Sequence, residues 1–271
     1  MHHLGLVYAL LISATRAVPV EDSPFPGAIK WTPNHKIQPS DVIVPVKGVC
    51  KLPFPYVVNE KTYLAKLKAE GIKIGAPELD PSWISYNSTD LTKPKYPKVS
   101  KGQVGKRDDC DGTFYITTDK TETFVDWDVQ MSPVVCAVGD MDISVSSGYS
   151  VSNTVGGSAG VDLTFVKDKL AGSLGIDYSR TWTTQTSVIT KATIKDGQCG
   201  VMITKPLTTR RSGRQFQGCI GSATEIGTWY ADSRGEGSYN GITWIEGAIS
   251  ACSKPGSNPP LSRCNGQGNF R

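Results

Sequence analysis

The stretch MDISVSSGYSVSNTV, residues 141–155, alternates along its whole length. Its odd positions read Met, Ile, Val, Ser, Tyr, Val, Asn, Val and its even positions Asp, Ser, Ser, Gly, Ser, Ser, Thr. One face is mostly apolar and the other polar or glycine, which is the period-two signature of a half-buried strand. A second run, LGIDYSRTWTTQTSVITKATI at 174–194, places Leu, Ile, Tyr, Arg, Trp, Thr, Thr, Val, Thr, Ala and Ile on its even positions. At ~3.3 Å per residue the two runs would extend roughly 50 and 70 Å, against a usual strand of about 5–6 residues. Either bends at Gly148 and near Arg180 break them, or the molecule carries unusually long ribbons.

Working outward, 113–117 and 123–129 are rich in β-branched and aromatic residues and read as strands. So do 225–231 and 239–246, which carry Trp229, Tyr230 and Trp244. Asp196-Gly197 reads as a tight turn. Between the two long runs, 161–165 and the segment from Leu170 onward read as a small hairpin with Lys167, Asp168 and Lys169 near its tip. The expected fold class is mainly β: a disulfide-stapled antiparallel β-sandwich or elongated β-ribbon body. In the preceding segment, Tyr63, Leu64 and Leu67 are spaced for one apolar face and predict one short helix over 60–73.

The N-terminus has the layout of a secretory signal: an apolar run from Leu4 to Ala14, small residues to Ala17, then Glu21-Asp22. The expected domains are a signal peptide at 1–17, a pro-segment at 18–107 and a mature body at 108–271. The boundary rests on composition. Residues 18–107 hold twelve of the 17 prolines and a net charge of +6 (14 Lys+Arg, 8 Asp+Glu), whereas 108–271 carry −3 (14 Lys+Arg, 17 Asp+Glu). At the junction stands Lys106-Arg107, a dibasic pair of the kind a kexin-type protease of the secretory pathway cuts. A second pair, Arg210-Arg211, lies between two cysteines, where a bridge would hold the halves together.

Seven cysteines follow the signal, and behind a signal disulfides are the default. Cutting after Arg107 strands Cys50 and leaves six: Cys110, Cys136, Cys199, Cys219, Cys252 and Cys264. Six cysteines allow fifteen pairings; proximity along the chain favours Cys110–Cys136, Cys199–Cys219 and Cys252–Cys264. Asn87-Ser88-Thr89 is a glycosylation sequon.

The body has no histidine, since His2 and His3 leave with the signal and His35 lies upstream. That argues against Ser-His-Asp and Cys-His catalysis and against the usual zinc sites. There is no phosphate loop or dinucleotide fingerprint. No metal, cofactor or nucleic acid is expected. Paired carboxylates remain, and Asp126, Asp128, Asp140 and Asp142 are the candidates for a histidine-free glycan hydrolase. Each pair is spaced by two, so the competing reading is the polar face of a strand. Arg210, Arg211 and Arg214 are candidate target-binding residues, read as an exposed basic loop.

The signal, the proline-rich segment, the dibasic pair and the six-cysteine body together resemble fungal secreted effectors. Cys110-Asp111-Gly112-Thr113-Phe114, Gly197-Gln198-Cys199-Gly200 and residues 206–213 carry that resemblance over about the last 160 residues. It implies a secreted virulence protein, and the secretory layout together with the missing catalytic groups leads to the expectation that it acts without catalysis by binding a host or competitor target, whether a protein, a glycan or a membrane. The strand pattern is also similar to aerolysin and epsilon-toxin-type β-pore-forming proteins. That resemblance implies an amphipathic membrane hairpin over 161–176, with Val161, Leu163, Phe165, Leu174 and Ile176 facing lipid and Asp162, Thr164, Ser173 and Asp177 facing water.

Overall fold

The computed structural model describes residues 25–33, 35–45, 54–87, 112–185, 190–239 and 242–271. The expected signal peptide, Cys50, the Lys106-Arg107 pair, Cys110 and Ser88-Thr89 lie outside these residues. Asn87 ends an exposed strand, Ile84–Asn87.

The molecule is mainly β, and its organising element is one strand of 20 residues, Gln198–Gln217. Neighbouring strands change part-way along it. Residues 198–206 pair antiparallel with Gly247–Pro255, from Gln198↔Pro255 to Pro206↔Gly247. On the opposite edge they meet the short strands Val129–Gln130 and Val135–Cys136. Residues 207–217 lie between Phe114–Val125 and Thr224–Arg234, also antiparallel. A proline cannot donate to a ladder and is out of place inside a central strand. Pro206 escapes that cost because it stands at the seam. Its pairing with Gly247 is the last on one side, and the Leu207 N–H turns to the Glu246 carbonyl (2.9 Å) as the new neighbours begin. At 212–213 a register shift lets Phe114–Val125 pass very close to Gly213, where a Cβ would lie 1.8 Å from the Thr117 carbonyl oxygen.

Side chains alternate across the first half of the central strand. Met202 enters a cluster with Ile43, Val57, Ile143, Trp182, Ile194, Trp244 and Ile249. Val201 and Ile203 face the other way, into a cluster with Leu261 and Phe270. Both faces there are covered.

Among the described residues upstream of the dibasic pair, most strands belong to the same sheet, and Lys36–Ile37 joins a smaller one. Asp41–Val44, Tyr56–Asn59 and Ile29–Lys30 continue the large sheet in that order outward from Gly247–Pro255, and Lys73–Ile74 pairs parallel to Phe124 and Val125. The expected helix is present as Glu60–Ala69, with Asn59 capping it by accepting from Lys61 N (3.0 Å). Tyr63 and Leu67 are buried and Leu64 is partly so, in a cluster with Phe25, Val42, Val44, Val125 and Ala248.

Several expectations change. Of the two outcomes expected for 141–155, the bend at Gly148 is the one found, with φ of +95° there, and a second break at Asn153 leaves strands Met141–Ser144, Ser150–Ser152 and Thr154–Gly157. The stretches 113–117 and 123–129 are instead joined into one strand, Phe114–Val125. The hairpin over 161–176 is replaced by a helix, Leu163–Leu174. Asp162 caps it by accepting from Phe165 N (2.9 Å), and Gly175 ends it in the left-handed conformation. Leu163, Val166 and Leu170 share its inner face against Val155, Tyr178 and Trp229, with Val161 and Ile176 packed beside them. Phe165 leans on Phe114, with ring centroids 5.9 Å apart, while Leu174 is exposed. These residues therefore do not form the lipid-facing row of a hairpin. Period two over Val161, Leu163 and Phe165 misled because it covers too few residues to compete with the caps.

The cysteine pairing is also corrected. Cys136 bonds Cys199, and Cys252 bonds Cys264 as expected. Cys219 is disulfide-bonded as well, but not to Cys199. The reason is the central strand itself. Cys199 sits near its start and Cys219 just past its end, so about 20 residues at ~3.3 Å each hold them apart. Cys136 lies directly opposite Cys199 in the ladder.

Candidate functional site

The second half of the central strand carries the charge-rich chemistry. The three arginines expected on a loop all lie within it. Arg210 is buried and stands opposite Asp232 in the ladder. Its Nε donates to Asp232 Oδ1 and its Nη2 to Oδ2, both at 2.7 Å, a bidentate pair. Nη1 donates to the Pro77 carbonyl at 2.9 Å. The guanidinium lies over the rings of Phe124 and Tyr230, 5.1 Å from each centroid, and Trp83 stacks on Tyr230. Burial pushes the Asp232 carboxyl up, against the pull of Arg210. Arg210 is thus fully occupied in holding strands together and cannot reach a target. Arg214 is exposed and donates from Nε to Asp119 (2.7 Å), with Glu225 at 3.7 Å.

The four candidate acids are occupied too. Asp126 accepts from Arg234 Nη2 (2.8 Å) and Thr208 Oγ1 (3.3 Å). Asp128 is fully buried; burial pushes its carboxyl up, while Lys205 at 3.5 Å and the Asn265 N–H at 2.6 Å pull it back. Lys205 also meets Glu60 at 3.1 Å. Asp140 is held below the usual carboxylate range by the Lys195 ammonium (2.6 Å), and Asp142 by Lys36 (2.8 Å) and Thr193. The structure does not bring these four to a common cleft.

Arg211 differs. Leu207, Thr209 and Arg211 alternate with the Arg210 face and line a cleft of about 680 Å³. Glu70 and Gly71 just past the helix end, strand residues 121–123 and residues 233–235 complete its walls with Ile176 and Glu246. Across its floor Thr123 and Thr209 share a hydroxyl hydrogen bond (3.2 Å), and Ser233 Oγ donates to the Thr209 carbonyl (3.3 Å). Other cleft charges have ion partners: Glu70 with Lys66, Glu122 with Lys73 and Lys120, and Arg234 with Asp126. Burial would raise the Glu122 carboxyl, yet Lys120 and Lys73 hold it low. Among the described residues, no carboxylate stands within 4.0 Å of the Arg211 guanidinium; its one hydrogen bond is a long one to Ser233 Oγ (3.4 Å). Beside it the Tyr178 hydroxyl is buried and lacks a hydrogen bond of normal geometry. Burial pushes that phenol up, with Arg211 and Ser233 opposing.

The arrangement offers one guanidinium without a carboxylate partner and several hydroxyls, with no thiol or imidazole among the described lining residues. Of the residues singled out in sequence, Arg211 and Ile176 line this cleft. Thr123, Thr209 and Ser233 line it without standing out in the sequence, and Tyr178 is buried behind it. Period two in 207–211 places Thr209 with Arg211, but nothing local points from either to Ser233 or Tyr178.

No family model, no curated protein and no solved structure matches this chain.

Proposed function

We propose that this is a secreted, non-enzymatic binding protein of effector or toxin type, and that its β scaffold holds a small carboxylate-bearing ligand in the cleft at Arg211. The carrying observation is selective: Arg210, Arg214 and Arg234 all face carboxylates, whereas Arg211 faces open cleft. A guanidinium fork matches a carboxylate with two parallel hydrogen bonds, and hydroxyls beside it suit the ligand's remaining polar atoms. The cleft volume falls within the range of small-molecule sites, roughly 300–1,000 Å³. The occupation of all four candidate acids in hydrogen bonds and ion pairs favours binding over glycan hydrolysis. The disulfides suit an oxidising extracellular setting. The pore-forming alternative has less support, because its hairpin segment is a capped helix.

The test is a titration of the purified protein with a panel of mono-, di- and tricarboxylates, followed by calorimetry and thermal shift. At least one member binds the wild type, Arg211→Ala weakens it tenfold or more, and Arg214→Ala leaves it unchanged. Equal affinity in Arg211→Ala, or no binding across the panel, refutes the reading.

A further inference from the structure

We infer that residues 25–87 are a permanent part of the folded protein, so that a chain cut at Lys106-Arg107 matures into a two-chain molecule instead of shedding its N-terminal piece. The interaction surface is the body's own sheet, and its partner is this segment of the same chain.

The segment is woven in at separate places. Asp41–Val44 pairs with Gly247–Pro255 through Ile43↔Ile249. Lys73–Ile74 pairs with Phe124 and Val125, and Ile84–Asn87 pairs along all of Thr154–Gly157. Lys36–Ile37 adds to Lys191–Ile194. Removal would open each of these edges to water and to other chains, a liability that folded proteins avoid. The core crosses the boundary as well. Trp31, Ile37, Ile43 and Val57 are buried against Ile143, Trp182 and Ile249, while Tyr63 and Leu67 are buried with Val125 and Ala248.

Polar contacts repeat the pattern. Lys205 is 5 % exposed and would lose Glu60. The buried Arg210 would lose the Pro77 carbonyl, and Tyr230 would lose Trp83 from its ring. A buried charge or donor stripped of its partner is costly. The cleft also depends on the segment, since Glu70 to Lys73 form one of its walls. Association is nevertheless measured by mass alone, so its outcome is independent of whether a carboxylate binds.

The experiment uses the full chain with a site-specific protease sequence replacing residues 101–107, in the wild-type background and with Cys50→Ser. The substitution removes any covalent tie that Cys50 provides across the cut. After complete cleavage, native size-exclusion with light scattering is run before and after a 100-fold dilution. Both fragments are expected to co-elute at the uncut mass at both concentrations and to part only in denaturant. Elution of a folded C-terminal fragment without its partner overturns the inference. Should Cys50→Ser fail to fold, the cut wild-type protein is run with a mild reductant, and the same two outcomes decide.

Discussion

The two halves of the central strand share one continuous backbone and are held by different physics. Residues 198–206 are stabilised chiefly by apolar burial on both faces and by a disulfide at their start, with one buried charge, Lys205, beside the seam. Thr204 is one of the few polar side chains there, and its hydroxyl is shared between the Trp244 indole N–H (2.7 Å) and Met131. Residues 207–217 instead carry charges across the ladder: Arg210 to Asp232, Arg214 to Asp119, and Thr208 with Arg234 on Asp126. The lesson is that tolerance to change differs along a single strand. An apolar face accepts volume-conserving substitution, whereas a buried ion pair accepts removal of both partners far better than of one.

The largest expected effect follows from that asymmetry. Asp232→Ala leaves the Arg210 guanidinium buried without its counter-charge and should cost about 3–5 kcal/mol in urea unfolding. The double change Arg210→Met with Asp232→Leu removes both charges, keeps bulk between Phe124 and Tyr230, and should recover most of that loss. A single mutant within 1 kcal/mol of wild type, or a double mutant no better than the single, would mean that the second half is not held by this pair.

Two glycines sharpen the comparison at intermediate size. At Gly213 an added Cβ would meet the Thr117 carbonyl oxygen at 1.8 Å, and backbone can yield only by parting the strands. At Gly200 it would meet the Ile194 side chain from Cγ1 to Cδ1, which can shift where backbone cannot. Overpacking therefore costs about 3 kcal/mol in Gly213→Ala and about 1 kcal/mol in Gly200→Ala. The reverse order, read from chemical denaturation, would place the rigid part of the molecule in the apolar half.

Sequence reasoning reached the first kind of physics better than the second. Period two is a local signal, so strand content within 141–155, at 225–231 and at Ile242–Ile245 was legible, though not the breaks inside 141–155 or the hairpin that separates Tyr239 from Ile242, and so was the apolar face of Tyr63, Leu64 and Leu67. A cross-strand ion pair is not local. Arg210 and Asp232 stand 22 residues apart, and only the register of two long strands makes them partners. A basic run with its counter-charges elsewhere in the chain therefore looks like a solvated loop. Cys199 illustrates the same limit, because nearness in sequence is distance in space when the intervening residues form one extended strand. The helix Leu163–Leu174 was hidden for a different reason: its inner positions Leu163, Val166 and Leu170 overlap a short alternation that starts at Val161.

The smallest expected effect concerns pH, and there two carboxylates respond with opposite sign. Asp119 is held low by its hydrogen bond from Arg214. A carboxyl lowered in the folded state stabilises above the unfolded value, about 3.9, and that contribution is lost as pH falls through the folded value. Asp128 is raised by burial, with Lys205 opposing. Between the unfolded value and the higher folded one, the native state keeps a proton that the unfolded chain has released, so stability falls as pH rises through that window. Urea midpoints measured from about pH 3 to about pH 7 should thus show a shallower loss on the acid side in Asp119→Asn. In Asp128→Asn, the decline that wild type shows as pH rises above the unfolded carboxylate value should shrink to the part that the raised Asp232 carboxyl contributes. Superimposable profiles for Asp128→Asn and wild type would mean that the Lys205 ammonium and the Asn265 N–H fully offset the desolvation of that buried carboxyl, making it an ordinary ion pair.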